Sequence, residues 1–417
     1  MATLVHVGDF HAAPGPRNEA RYRALDQLIE EACQLPALGA WLWPGDLSHQ
    51  RQAIEDENDL IVRLRHMSRV APVVLVYGNH DLPGDLDKFA SVGAGNPIYV
   101  VDRPQVLRIR LATMQFASIA CLPYPHRAGL VMAGCPNPDL VDAAADHLDA
   151  IFMQFAAELT ASKERGDYLA FIGHANIGGA ITSSGQPNIG REIELMPRHL
   201  DRLFAVFGDG GYVGLNHIHK AQEIFGAHYA GSICRLDWGE IEEKRWLEVQ
   251  LLDEHTNVVS HALDVPPMYH VEGQLTRDGF TWACTAGPGG ELQEAPASWK
   301  GCEVRLRYRY AAEEAAVLDK APVLTFAAEA ALRHLEPIPE KSHDLRAPDV
   351  AAAKTLPDKV AAFCATSGTP AGDGVLQKLA FLETRDRLVV LEAARDFAAD
   401  IAAGHEDEPA GKATVAA

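Results

Sequence analysis

Short apolar runs alternate with amphipathic stretches over the first two-thirds of the chain, and most of the runs stop at a small polar motif. Thr3 to Val7 runs into Gly8-Asp9-Phe10-His11, and Ala40-Trp41-Leu42-Trp43 runs into Gly45-Asp46. Pro72 to Tyr77 ends at Gly78-Asn79-His80-Asp81, and Tyr168 to Ile172 ends at Gly173-His174. Tyr212 to Leu215 leads into Asn216-His217-Ile218-His219. Between them, Leu25, Leu28, Ile29 and Cys33 recur near helical spacing, and a second helix is predicted from about Asp56 to Met67. Glu223 to Gln250 reads as strand-rich, including Trp246-Leu247-Glu248-Val249-Gln250. Strand, motif and helix in alternation predict an α/β architecture with packed layers. Polar motifs at the carboxyl ends of strands can meet in one crevice even when they are far apart in sequence.

The texture changes beyond Val265, where Pro266-Pro267 marks a boundary. Ala286 to Pro296 is rich in Gly and Pro and predicts a loop. Cys302 to Tyr310 alternates apolar and charged residues as a half-exposed strand does. Leu324 to Leu335 predicts a helix, and Pro337 to Pro348 a linker. The chain after Ala351 reads as helical with a break at Thr366 to Asp373. The helix from about Gly374 to Ala402 carries Leu376, Leu379, Leu382, Leu388, Val389, Leu391 and Phe397. The tail from His405 is expected to fray. These changes divide the chain into residues 1–265, 266–348 and 349–417, with no internal repeat.

The length of 417 residues suits two or three domains. No stretch reaches the roughly 18 apolar residues of a membrane span, and Met1 to Asp9 lacks the basic start of a signal peptide. Seven scattered cysteines, without a Cys-x-x-Cys pair, read as reduced thiols, so a cytoplasmic protein is expected. A net charge of −20 argues against coating nucleic acid by bulk electrostatics. It leaves a nuclease open, because bound metal ions are often the largest local charges in a site.

The motifs supply Asp9, His11, Asp46, Asn79, His174, His217 and His219 as candidate metal ligands. Asp9 and His11 are two apart at a strand end, so both can reach one ion; His217 and His219 share that spacing. Carboxylates and imidazoles without thiolate suit Mn²⁺, Fe²⁺ or Zn²⁺. Asp46 is the natural carboxylate to bridge two ions, and Asn79 offers a neutral oxygen. Two metals ~3.5–4 Å apart activate a water and stabilise the attacking and leaving oxygens of a displacement at phosphorus. His80, beside a ligand, is placed to protonate the leaving oxygen, with Asp81 as a candidate to orient it. A single Asp-x-His or Gly-His means nothing alone. Their joint occurrence, in order and each after an apolar run, carries the reading.

This set resembles the calcineurin-like metallophosphoesterase superfamily, whose pattern is Asp-x-His, Gly-Asp, Gly-Asn-His-Asp, Gly-His and Gly-His-x-His. Asn216 stands where the last motif usually has Gly. A narrower resemblance is to the SbcD family, nuclease subunits of DNA double-strand-break repair complexes. It rests on Gly45-Asp46-Leu47-Ser48-His49, Leu122-Pro123-Tyr124-Pro125, His174 to Ser184, and Tyr229 to Glu240 with Lys244 following. The resemblance implies a four-layer β-sandwich flanked by helices over residues 1–265, a small α+β capping domain over 266–348, and a C-terminal helical partner-binding segment over 349–417. It implies one ion on Asp9, His11, Asp46 and His219, a second on Asp46, Asn79, His174 and His217, and Mn²⁺ as the usual metal. It gives His49 a part in positioning DNA.

It further implies an SbcC-like ATPase partner, docked on Leu376 to Phe397, and a nuclease homodimer within a heterotetramer. Packing of that helix on the chain's own core is the alternative. No P-loop motif is present, so any ATP dependence must come from a partner. The function expected is a Mn²⁺-dependent DNA exonuclease and endonuclease in end processing and repair. The alternatives are a phosphodiesterase or phosphatase on another ester, and a scaffold subunit with a vestigial site.

Overall fold

The computed structural model describes residues 1–13, 18–49, 54–126, 141–183, 192–240, 242–252, 255–285, 291–340, 353 and 355–367. The chain forms two units, one of residues 1–310 and 314–339, the other of 311–313 and 340–417. The first begins with β1 (Ala2–His6), α1 (Asn18–Ala32), β2 (Leu38–Trp43), α2 (Ile54–Val70), β3 (Val73–Val76) and β4 (Ile98–Val101). Then come β5 (Gln105–Arg110), β6 (Phe116–Leu122), α3 (Val141–Glu164), β7 (Tyr168–His174), α4 (Pro197–Phe207) and β8 (Gly211–Asn216). The short β9 (Gln222–Ile224) and β10 (Ala227–Tyr229) precede β11 (Arg245–Leu251) and β12 (Thr256–Ala262).

Two six-stranded sheets result, ordered β12-β11-β1-β2-β3-β4 and β5-β6-β7-β8-β10-β9. Their facing sides bury Leu4, Ala40, Leu42, Val74 and Val76 against Ile119, Cys121, Ala170, Ile172 and Tyr212. The opposite sides bury Val5, Trp41, Trp43, Val73 and Leu75 under α1 and α2, and Phe171 and Val213 under α3 and α4. This is the four-layer sandwich that the resemblance implied. The period-2 alternation in β2 explains why its register holds: Ala40 and Leu42 fit between the sheets, whereas both indoles lie under the helices. A one-residue slip would force Trp41 and Trp43 into the gap between sheets. On α3, Leu148, Phe152, Phe155 and Leu159 follow helical spacing and face the second sheet.

β1, β2, β3 and β4 run parallel, as do β6, β7 and β8. The motif-bearing ends of β1, β2 and β3 therefore lie at one edge of their sheet, and those of β7 and β8 at one edge of the other. Among the described residues no helix is long and apolar enough to cross a membrane.

A third sheet follows in the same unit, from β13 (Met268–Thr276), β14 (Gly279–Thr285), β15 (Leu292–Gln293), β16 (Glu303–Ala311) and β17 (His334–Glu340), with α5 (Ala321–Glu329). Its order is β15-β14-β13-β16-β17, and Val323 and Phe326 of α5 pack on Val271, Val304 and Leu306. The helix predicted over Leu324–Leu335 is shorter and shifted: the chain turns at Ala331 (φ 46°) and enters β17. Residues 337–340 of the predicted linker also belong to β17. This strand is at the sheet's edge, where proline is tolerated. Glu336 holds it there through Arg305 at 2.6 Å and Arg307 at 3.2 Å. The Gly/Pro-rich loop keeps one short strand, β15, and residues 286–290 lie outside the described residues.

The second unit shows α6 (Leu356–Ser367), whose start is capped by Thr355, with Asp358 N donating to its Oγ1 at 3.2 Å. The helix predicted over 374–402, its docking positions Leu376 to Phe397 and the tail lie outside the described residues.

Candidate metal centre

Four backbone devices bring the motifs together. His11 N and Phe10 N donate to Asp46 O, which ties the first motif to the second. Gly78 lies against the Asp46 carboxylate and Gly45 against the His174 ring, so a side chain at either glycine would collide with a candidate ligand. Gly45 also takes φ 102°. Three candidate ligands adopt positive φ themselves: His11 (51°), Asp46 (52°) and His217 (101°). Such strain, about 1–3 kcal/mol per residue, clusters where side chains must converge.

Asp46 lies at the middle. Its Oδ2 is 3.3 Å from His11 Nε2 and 3.2 Å from His174 Nε2, and its Oδ1 accepts the His80 N–H at 2.9 Å. On one side, His11 Nε2 faces His219 Nε2 at 3.2 Å. On the other, Asn79 Oδ1 is 2.9 Å from His174 Nε2 and 3.0 Å from His217 Nδ1. Asp9, fully buried, is 3.8 Å from His174 and accepts the His217 N–H on both oxygens at 3.2 Å. All seven predicted ligands therefore share one locality.

The second nitrogen of each imidazole shows how well the set fits a cation. His174 Nδ1 donates to Pro44 O at 2.8 Å, and His219 Nδ1 to Glu240 Oε1 at 2.7 Å. His217 Nε2 donates to Glu192 Oε2 at 3.0 Å, and the Nδ1 atoms of His11 and His49 lie 3.3 Å apart. Three outer nitrogens thus face oxygens that only accept, so His174, His217 and His219 can each turn a lone pair to a cation at the centre. Lone pairs that face each other at 3.2 Å need a proton or a cation between them. The set of imidazole, carboxylate and amide oxygen suits a borderline divalent ion.

The electrostatics agree. Burial pushes the Asp9 carboxyl up to about 7 against the pull of His174 and His219. Burial opposes charge on His174 as well, but the Asp46 and Asp9 carboxylates hold its imidazolium up to about 9. Burial likewise disfavours charge on Asp46, yet His174 and His11 hold its carboxyl well below the usual range. The centre therefore demands positive charge, which protons or metal ions can supply.

His49 and His80 form the rim, His49 exposed and His80 half-buried. Their rings stack at 4.7 Å between centroids, and His80 Nδ1 donates to the His49 carbonyl at 3.2 Å. Asp81 is not spent on His80. Its carboxylate accepts Ser48 N and Gly78 N, both at 2.9 Å, and staples the second motif to the third. Burial and the neighbouring Asp46 push Asp81 up to about 7.

Of the further residues with a part here, Tyr124, Glu240 and Lys244 lie in segments of the narrower resemblance, whereas Glu192 carried no signal in the sequence. Glu192 stands in no motif. Tyr124 sits beside His217 with ring centroids 5.4 Å apart, brought in by its N–H on Tyr77 O. Within Glu223–Gln250, read as strand-rich, the described residues of 230–244 form no strand, only a bridge of Ser232 to Asp9. Gly231 O accepts Asp9 N, Ser232 N donates to His219 O, and Glu240 joins Lys244 Nζ at 2.6 Å. Burial opposes charge on Glu240, but His219 and Lys244 hold it down to about 2.

Asn216 is fully buried, with no positive φ of its own. Its Oδ1 accepts His6 Nε2–H at 3.0 Å and its Nδ2 donates to Val7 O at 3.1 Å. The special backbone conformation falls one residue later, on His217.

The model of the calcineurin-like phosphoesterase family matches residues 2–205. With the four-layer sandwich and this centre, that match supports a calcineurin-like metallophosphoesterase, a family that implies divalent metal ions. The SbcD subunit of the SbcCD nuclease of Bacillus subtilis (strain 168) is similar to it, 26% identical over 203 residues, which cover 43% of this chain and 50% of the relative. The chain thus spans about half the length of that curated relative.

Proposed function

We propose that the chain is a Mn²⁺-dependent DNA nuclease subunit that hydrolyses phosphodiesters and works with an SbcC-like ATPase in DNA end processing. The observation that carries this reading is the stacked His49–His80 pair at the accessible rim of a buried Asp/His centre. Two imidazoles at that rim suit a step in which a leaving oxygen takes up a proton. The similarity to the nuclease subunit SbcD supports DNA as the ester.

Asp9, His11, Asp46 and His219 would hold one ion, and Asp46, Asn79, His174 and His217 the other. When bound, the two ions supply an activated water and charge for the phosphate oxygens. His80 gives Nδ1–H to the His49 carbonyl, so Nε2 is the nitrogen left for the substrate; it donates a proton only from the imidazolium. His49 fixes that ring by stacking and helps place the DNA strand. Asp81 keeps the two motif loops in register. Residues 1–265 would be the catalytic domain, 266–348 the cap and 349–417 the partner-binding segment, in a cytoplasmic heterotetramer built on a homodimer of this chain.

The test is Mn²⁺-dependent digestion of linear duplex and hairpin DNA, with and without an SbcC-like ATPase. His80→Ala should lower turnover by about 10²–10⁴-fold, the usual span for a lost acid–base group. Asp46→Ala should abolish it. Unchanged cleavage in both variants refutes the assignment. The net charge of −20 favours a second reading, a phosphodiesterase on a small ester. Turnover of a cyclic nucleotide without DNA cleavage would establish that one instead.

A further inference from the structure

The two halves of the centre differ in charge. The half with Asp9 has a carboxylate of its own besides the shared Asp46. The half with Asn79, His174 and His217 has only neutral donors besides Asp46. A dication held mainly by neutral groups in a buried site is poorly compensated.

Glu192 stands where the missing charge is needed. Its Oε2 is 3.0 Å from His217 Nε2, with both side chains about nine-tenths buried. The segment that carries it is docked on the strand end of His174. Leu195 N donates to Asn176 O at 2.7 Å, Gly178 N donates to Leu195 O at 3.2 Å, and Asn176 Nδ2 donates to Glu194 Oε1 at 3.1 Å. Glu192 also differs from Glu240, which plays the matching part behind His219. Glu240 shares its charge with Lys244 at 2.6 Å. Glu192 has no Lys or Arg ion-pair partner among the described residues, and its carboxylate faces His217.

We propose that Glu192 is the positioning residue of the neutral half. It accepts the Nε2–H of His217, fixes the tautomer that turns Nδ1 towards Asn79, and supplies through the imidazole the negative charge that half lacks. This rests on the two-metal reading above. An outer carboxylate of this kind is worth about 10–100-fold in metal affinity.

Mn²⁺ titrations of wild type and Glu192→Gln, followed by calorimetry and by the free-ion spin-resonance signal, test it. Wild type should bind two ions. Glu192→Gln should keep one at wild-type affinity and bind the other at least tenfold more weakly. Long-range ¹H–¹⁵N spectra of the Zn²⁺-loaded wild type should show His217 protonated on Nε2, a signature that a merely structural role would not require. Two unchanged sites in the variant, equal weakening of both, or a proton on Nδ1 overturns the proposal. Fewer than two ions in wild type overturns the two-metal reading itself, whatever the variant does.

Discussion

Replacing Asn216 by glycine, the residue usual at that place in the family pattern, should destabilise this protein. His6 lies between the sheets, fully buried, with Nδ1 2.7 Å from the Tyr212 hydroxyl and Nε2 3.0 Å from Asn216 Oδ1. An amide oxygen only accepts, so His6 carries its proton on Nε2 and takes the Tyr212 O–H on Nδ1. Asn216→Gly strands that Nε2–H and removes the donor to Val7 O. Each buried polar group left unpaired costs about 1–3 kcal/mol, and glycine in a strand adds about 0.5–1 kcal/mol. The two groups and the glycine together come to about 2.5–7 kcal/mol. At ~2–4 °C per kcal/mol for a domain of this order, the thermal midpoint should fall by about 5–28 °C. Calorimetry on the metal-free protein at pH 7.5 measures it, with Asn216→Asp as a control that retains one acceptor. A midpoint within ~2 °C of wild type would refute the reasoning and mean that His6 and Val7 find other partners.

His6 also predicts an acid limb of stability. Burial pushes its imidazole down to about 3 from 6.5, so the fold keeps it neutral while the unfolded chain takes a proton below 6.5. The stability is complete above 6.5 and falls as pH drops towards 3, by about 2.7 kcal/mol at two units below 6.5. His6→Gln should flatten the melting-temperature profile between pH 6.5 and 4.5; equal slopes in the two proteins would exclude His6 as the cause. Glu240→Gln should cost about 3 kcal/mol by leaving Lys244, 1% exposed, short of its main counter-charge, and Glu240→Gln with Lys244→Met should recover most of it. Denaturation curves that rank the double variant below the single one would contradict this.

Much of the layered fold is written in local pattern. The runs before Asp9, Asp46, Asn79, His174 and His217 are strands, because each packs between two layers and so needs apolar residues on both faces. Their polar ends are the candidate ligands. The hairpin of β5 and β6 and the 24-residue α3 do not stand out in that pattern. Leu148, Phe152, Phe155 and Leu159 do follow helical spacing, but they lie among so many alanines that the stripe is weak until the second sheet covers it. The C-terminal limit of α5 departs from the pattern for another reason. Apolar residues continue past Glu329, and only the turn at Ala331 and the ion pairs of Glu336 show that the chain becomes an edge strand.

Donor types, their spacing and their place at strand ends follow from the chain alone, since they depend on residues within a few positions of one another. Which nitrogen of each imidazole faces the centre does not. For His174, His217 and His219 that choice belongs to Pro44, Glu192 and Glu240, and His174 meets Pro44 from 130 positions away. Asn216 makes the same point: a departure from pattern in the sequence becomes, once β1 and β8 face each other across the sandwich, the partner of His6. Hydrogen bonds between such distant groups exist only after the sheets have packed, because packing both brings them within about 3 Å and removes the water that would otherwise satisfy them.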